Sequence, residues 1–368
     1  MTKQILNIAI GFTYRNFAKP IFFLFDPENI HDFVSSIGSF LGKFWVLKKI
    51  TSWFLNFKHR ALEQNVLGIQ FLNPIGLSAG FDKDAKLMSI LPSVGFGYEE
   101  IGSFTALPYQ GNVKPRLYRL PEQQSLRVNY GLKNLGAVEL YNKLAGQKWE
   151  FPVGISIAKT NAPETSQVSV GVEDYFFTYK TFKDIGDYFT INISCPNTCE
   201  EKPIFAEPEN LQLLLNKIFS ITKSKPIFIK LSPDLTDEQL FKILEVCKSF
   251  SIDGFVCSNL TKKNAVGHLG KGGFSGKLMD ELANNLIAKV YKYFNGTKLI
   301  IGAGGIFSAD DAYKKIKAGA TLLQLITGMV FQGPQLINEI NIGLVKLLAK
   351  DGYRNISEAI GKGEINEN

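Results

Sequence analysis

Over the first 62 residues, apolar side chains recur at steps of three and four. Ile30, Phe33, Val34, Ile37, Phe40, Leu41, Phe44 and Leu47 make one ladder, and Ile5, Ile8, Ala9 and Phe12 make a shorter one before it. That spacing places apolar groups on one face of a helix. Asp26-Pro27-Glu28 marks where the longer helix begins: an aspartate suits the cap, and a proline is tolerated in the first turn. Aromatic clusters at residues 20–25 and 53–57 accompany the ladders. Two arrangements fit this pattern. One is a helical cap packed on the main domain. The other is a helical pair that dips its apolar face into a membrane surface while lysines meet anionic head groups.

From about residue 67 the pattern becomes short β-rich runs alternating with helical stretches. Strands are predicted at 75–78, 98–101, 153–157, 190–194, 227–231, 254–257, 299–302 and 322–325. Helices are predicted at 210–221, 237–249, 278–293, 309–318 and 334–349. Eight strands alternating with helices predict an α/β fold, a (β/α)8 TIM-type barrel with an N-terminal helical extension. The expected organisation is residues 1–62 as the extension, 63–352 as the barrel and 353–368 as a polar tail. Residues 105–150 are expected to cross the barrel mouth as a partly extended insertion.

Charge sharpens the picture of the extension. The chain carries a net +7, and residues 1–60 hold eight basic residues against three acidic ones. This bias lies on an apolar, aromatic-rich helical region rather than along a polar groove, so no nucleic-acid partner is expected. Four cysteines in 368 residues make no disulfide framework, and Cys195 and Cys199 lack a zinc-site spacing. No metal is expected. No apolar run approaches the roughly 20 residues of a membrane-spanning helix, and the start reads as mature protein rather than a secretion signal.

In such barrels the reactive groups sit at the C-terminal ends of the strands. The first predicted strand runs into Ala79, Gly80 and Lys83, the second into Ser103, the third past Ser156, and the fifth into Lys230. The sixth ends at Ser258-Asn259, the seventh at Gly304-Gly305 and the eighth at Ile326-Thr327-Gly328. The glycines there, with Gly272, Gly273 and Gly276, predict a phosphate cradle of backbone N–H groups. The fourth strand runs into Asn192, Cys195 and Asn197. Carboxamides read flat heterocycles because each offers both donors and an acceptor. A thiol between them suits proton abstraction, with nearby lysines expected to enrich its thiolate; a buried, inert cysteine is the alternative.

The segments 73–84, 114–120, 192–198, 301–306 and 327–334 together resemble the dihydroorotate dehydrogenase family, in order and spacing over nearly the whole chain. Residues 25–33 resemble the N-terminal extension of its quinone-using branch. The resemblance implies FMN, with its phosphate at Gly276, Gly305 and Thr327, and Gly304 and Gly328 also among the cofactor-binding residues. Ala79, Gly80, Ser103, Ser156, Asn192, Lys230, Ser258 and Ile326 would line the rest of the cofactor. It implies dihydroorotate, and its product orotate, bound by Lys83, Asn129, Leu132, Asn192, Asn197 and Asn259, with Cys195 and Lys83 as catalytic residues. A membrane quinone would approach past His31 and Arg119, and the protein would sit peripherally on the cytoplasmic side of the inner membrane. Three departures stand out. Cysteine replaces the serine typical of the quinone branch, Val128 stands where a substrate-contacting Asn is usual, and Ser156 replaces a common amide. They leave open a soluble acceptor such as fumarate, another substrate, or an impaired flavin-binding paralogue.

Overall fold

The computed structural model describes residues 2–200, 202–263 and 271–363. All eight predicted barrel strands form: Ile75–Leu77, Tyr98–Phe104, Val153–Ile157, Tyr188–Asn192, Ile227–Leu231, Gly254–Cys257, Leu299–Ala303 and Leu322–Leu325. They pair in parallel, each with its neighbours, and the last closes on the first. The architecture is a (β/α)8 barrel. Every residue of the third, fourth, fifth, sixth and eighth strands is buried. Helices cover their outer faces, which is why these strands read as continuous apolar runs. The fourth strand lies two residues earlier than expected, at Tyr188–Asn192.

The helices between strands follow their local signals. Thr236 and Gln239 form a reciprocal capping box ahead of Asp237–Lys248, and Ser308 caps Ala309–Ala318 by accepting from the Asp311 N–H. At the N-terminal end of the strands, a hairpin of Gln64–Val66 and Ile69–Phe71 closes the barrel, with Phe71 edge-on to Tyr98 at 5.3 Å. At the opposite end the insertion contributes an antiparallel hairpin, Leu117–Leu120 and Ser125–Val128. A third strand, Gly273–Gly276, joins it to complete a small sheet over the mouth.

The N-terminal extension comprises Thr2–Thr13, a π-helical turn at Tyr14–Ala18, Lys19–Phe23, Pro27–Gly42 and Trp45–Leu55. Asp26 caps the third helix, its carboxylate accepting from the N–H groups of Glu28 and Asn29. The long ladder is not one helix. The Ser89 hydroxyl donates to the Gly42 carbonyl at 2.8 Å, and Phe44 turns to an extended backbone before the fourth helix starts. The apolar face of these helices is open: Phe33, Val34, Ile37 and Phe40 are all exposed, as are Trp45, Ile50 and Trp53. The side chain of Ile5 lies outside the described residues.

One buried ion pair fastens this extension to the insertion. Arg116 donates to both oxygens of Glu28, at 2.7 and 3.1 Å, and both residues are almost fully buried. Burial alone would push the Glu28 carboxyl up. The hydrogen bonds and charge of Arg116, with Lys114 and Lys133 beyond it, hold it below the ordinary range. At the far terminus, residues 353–363 depart from the expected polar tail. Ile356 and Ala359 are completely buried, and the Asn355 amide donates to the Glu63 and Arg60 carbonyls. The alternation of apolar with polar residues there made a packed turn look solvated. Residues 364–368 lie outside the described residues.

Candidate active site

A cavity of about 580 Å³ begins at the C-terminal ends of the barrel strands and runs without interruption between the N-terminal helices. That size is ordinary for a site holding a cofactor or small molecule. Its barrel end brings together Ala79, Gly80, Lys83, Ser103, Leu132 and Asn192. Cys195, Asn197, Lys230, Ser258 and Asn259 complete that end. Gly276, Gly304, Gly305, Ile326, Thr327 and Gly328 meet on one side of it. At the other end it passes His31 and Arg119 and continues along Tyr14, Phe22, Val34 and Ile37.

The carboxamides are held in place before anything binds. Asn192 ends the fourth strand and donates to the Ser103 hydroxyl at 2.9 Å. Asn259, after the sixth strand, donates to the Asn192 side-chain oxygen and to the Ser194 hydroxyl, both at 3.0 Å. Ser194 in turn donates to the Lys230 carbonyl at 2.8 Å. Four strand ends are thus tied into one rigid rim. Three buried groups on the cavity wall have no hydrogen-bond partner among the described residues, the Tyr130 hydroxyl, the Asn197 side-chain oxygen and the Ser258 hydroxyl. Orphaned buried polar atoms are costly and rare in native proteins, so these three mark where a ligand's polar atoms belong.

Glycines shape the wall. Gly80 has φ +100°, and a Cβ there would meet nothing within 4 Å, so its missing side chain leaves cavity space. Gly305 has φ +75°, and a Cβ would lie 2.5 Å from the Asp280 Cα, which forbids any other residue. Beside it the Thr327 and Ser275 hydroxyls share a hydrogen bond at 2.8 Å. Of the expected cradle glycines, Gly276, Gly304, Gly305 and Gly328 reach the cavity. Gly272 and Gly273 do not; Gly273 packs on Leu260 and Pro196 instead.

Electrostatics at the rim depart from the sequence reading at the thiol. Cys195 lies on the cavity wall, half-buried. Burial pushes its pKa up to about 11; the Asn197 backbone N–H and the charges of Lys230, Lys159 and Lys262 only partly oppose this. The expected enrichment of thiolate by lysines is therefore corrected: desolvation of the charge outweighs them. Lys83 sits over the face of Tyr130, 4.0 Å from the ring centre. Burial lowers its ammonium to about 8, helped by Lys133 and resisted by Asp32, Asp84 and Glu28.

At the helix end His31 is edge-on to Phe81 at 4.6 Å. Burial, then the charge of Lys83, lowers it to about 3, so the imidazole is neutral across the physiological range. Arg119 lies over the Phe23 ring and donates to the Phe25 carbonyl at 2.8 Å. The Tyr14 hydroxyl, pushed up to about 12 by burial, donates to the Val330 carbonyl.

Two expected site residues stand off the cavity. Asn129 follows a strand whose last residue, Val128, faces the cavity, so alternation turns Asn129 away; its side-chain oxygen accepts from Asn112 at 3.1 Å. Ser156 lies behind Ser103, hydroxyl to hydroxyl at 2.7 Å, and reaches the cavity only through it. Sequence reasoning passed over Tyr130, whose ring centre lies 4.0 Å from the Lys83 ammonium and 5.1 Å from the Arg116 guanidinium. It also passed over Asn161, which accepts from the Cys199 N–H at 2.7 Å and so steadies the loop carrying Cys195. Asn161 is an amide just beyond the third strand, where strand-end reasoning would have found it.

The description "Dihydroorotate dehydrogenase" belongs to the family model that matches residues 61–348. The chain belongs to the dihydroorotate dehydrogenase family. A relative from Sulfurovum, "Dihydroorotate dehydrogenase (quinone)", is 38% identical over 93% of this chain and 96% of its own length. One of the same description from Nitratiruptor is 36% identical over 93% and 97%. The crystal structure of DHODH from Eimeria tenella in complex with ferulenol superposes with a TM-score of 0.79 at 27% identity, covering 92% of this chain and 95% of that one. The matches to whole relatives take in most of the N-terminal extension as well as the barrel. As a member of this family the protein is an oxidoreductase, on the barrel that the family's solved structures share.

Proposed function

We propose that the protein oxidises dihydroorotate to orotate, a step of pyrimidine biosynthesis, with FMN as cofactor and a membrane quinone as electron acceptor. The observation that carries this reading is the single cavity joining the Cys195–Asn192–Lys230 rim to the passage beside His31 and Arg119. The residues present fit FMN. Gly276, Gly304, Gly305, Thr327 and Gly328 would hold its phosphate, where barrels of this class place one after strands seven and eight. Ala79, Gly80, Ser103, Lys230 and Ser258 would line the ring system and its sugar chain, with the orphaned Ser258 hydroxyl among the donors. When bound, FMN supplies a two-electron acceptor for the hydride leaving substrate C6.

The chain's own residues supply the rest. Cys195 takes the proton from substrate C5. Asn192 and Asn259, fixed by the rim hydrogen bonds, and Asn197, whose side-chain oxygen is unpartnered, read the pyrimidine ring. Lys83 faces the substrate carboxylate, which restores the positive charge that burial disfavours. Lys230 is a fixed cation beside the reacting groups, aimed at negative charge as it develops. Among the described residues no helix is long and apolar enough to cross a membrane. The exposed apolar side chains of the extension and its basic excess support peripheral attachment to an anionic membrane surface on the cytoplasmic side.

One observation favours a second reading. Cys195 stands where the resemblance expects serine in a quinone-using enzyme, which favours a soluble acceptor such as fumarate. The test is reoxidation of substrate-reduced protein by a short-chain quinone in vesicles and, separately, by fumarate. Faster turnover with quinone supports the first reading; turnover with fumarate alone replaces it with the second.

A further inference from the structure

Beneath the cavity floor, the barrel interior holds a carboxylate that no expected role uses. Glu100 lies on the second strand and is fully buried. One of its oxygens accepts from the Thr190 hydroxyl at 2.8 Å and from the Gln324 amide at 3.0 Å. Gln324 is steadied in turn by the Ser78 hydroxyl at 3.2 Å. The second carboxylate oxygen accepts no hydrogen bond among the described residues. It faces the ammonium of Lys230 at 4.0 Å, and that lysine lines the cavity. Side chains from strands two, four, five and eight, with Ser78 just past strand one, thus build one polar layer, whose cavity-facing tip is a cation and whose base is an anion.

Buried charge without a partner is costly, so Glu100 makes it possible for Lys230 to stand in a desolvated wall. The same contact weakens what Lys230 does. A negative ligand at the cavity feels a cation with an anion directly behind it, not a lone positive charge, and in a low-dielectric interior both act over several ångströms. We infer that Glu100 is a positioning residue that sets, through Lys230, how strongly the site favours the reduced over the oxidised cofactor. The inference rests on the FMN reading given above. It assigns the carboxylate to tuning the bound cofactor's potential, not to contact with cofactor or substrate.

The test is Glu100→Gln, with the midpoint potential of the bound flavin read by an equilibrium dye titration. A glutamine placed with its oxygen toward Thr190 and Gln324 keeps both hydrogen bonds. Its amide then occupies the position that accepts none. The expected result is retained flavin and a preference for the reduced form raised by about tenfold or more, a rise of roughly 30 mV for a two-electron couple. Glu100→Asp keeps the charge but draws it back from Lys230, and the expected shift has the same sign and is smaller. Glu245→Gln, on an exposed helix face, is the control and leaves the potential unchanged. A potential that stays at the wild-type value in the flavin-bound Glu100 variants, or falls, overturns the inference. Wild-type protein that takes up no flavin would instead refute the cofactor reading itself.

Discussion

The sharpest expectation concerns pH, because two rim groups are displaced in ways that act on different kinetic constants. Burial raises the Cys195 thiol to about 11. At pH 7.5 that leaves roughly 0.03% thiolate, about 300-fold less than a free cysteine near 8.5 would have. If Cys195 is the base, the limiting rate of flavin reduction at saturating dihydroorotate rises about tenfold per pH unit from roughly pH 6.5 to 9.5. Lys83 is lowered to about 8 and must carry its proton to hold a carboxylate. Substrate affinity is therefore steady below pH 8 and weakens above it, by up to about tenfold per unit. Anaerobic stopped-flow across this range, with substrate varied at each pH, separates the two constants. Cys195→Ala keeps the flavin spectrum but slows reduction at least about a hundredfold at every pH. A limiting rate that is level with pH, or already at its plateau below pH 8, refutes the assignment of Cys195 as a thiol base of raised pKa.

Other expectations follow from the extension and its anchor. Arg116→Ala strips Glu28 of its only side-chain hydrogen-bond donor among the described residues, leaving the longer contacts to Lys114 and Lys133 at 3.6 and 3.8 Å, and is expected to cost about 3 kcal/mol, read as a lower midpoint in thermal or urea unfolding. The depressed Glu28 carboxyl contributes stability that is complete at neutral pH and is lost as pH falls below about 4; the Arg116 variant, left with Lys114 and Lys133, should show a smaller acid-dependent loss. His31 is neutral down to about pH 3, so quinone saturation measured between pH 5.5 and 8 should show no titration near 6.5. Phe40→Glu and Trp53→Glu place charge on the exposed apolar face and should weaken flotation with anionic vesicles severalfold, with flavin reduction unaffected.

Much of this architecture was legible in the chain because parallel barrel strands are buried on both faces. Runs such as Ile227–Leu231 and Gly254–Cys257 admit polar residues only where the strand meets the cavity, so a lysine at 230 stood out. The long helix of the extension carried its cap in plain view at Asp26. What escaped was set by contacts between distant parts of the chain. The sign of the Cys195 shift depends on how much solvent it loses, which no spacing reveals. Lys230 is matched by a carboxylate 130 residues away, and Glu28 by an arginine 88 residues away. Asn129 looked like a displaced substrate contact, but strand alternation after Val128 turns it toward Asn112. The break at Gly42 came from Ser89, a residue outside the helical ladder.

The account rests on the rim formed by Cys195, Lys83 and the three carboxamides acting on dihydroorotate. Mixing the purified, flavin-loaded protein with dihydroorotate in the absence of oxygen or quinone tests it most directly, by absorbance near 450 nm. The account predicts full bleaching in a single turnover, with one orotate formed per flavin. Flavin that stays oxidised at saturating dihydroorotate, yet is bleached normally by dithionite, would contradict it.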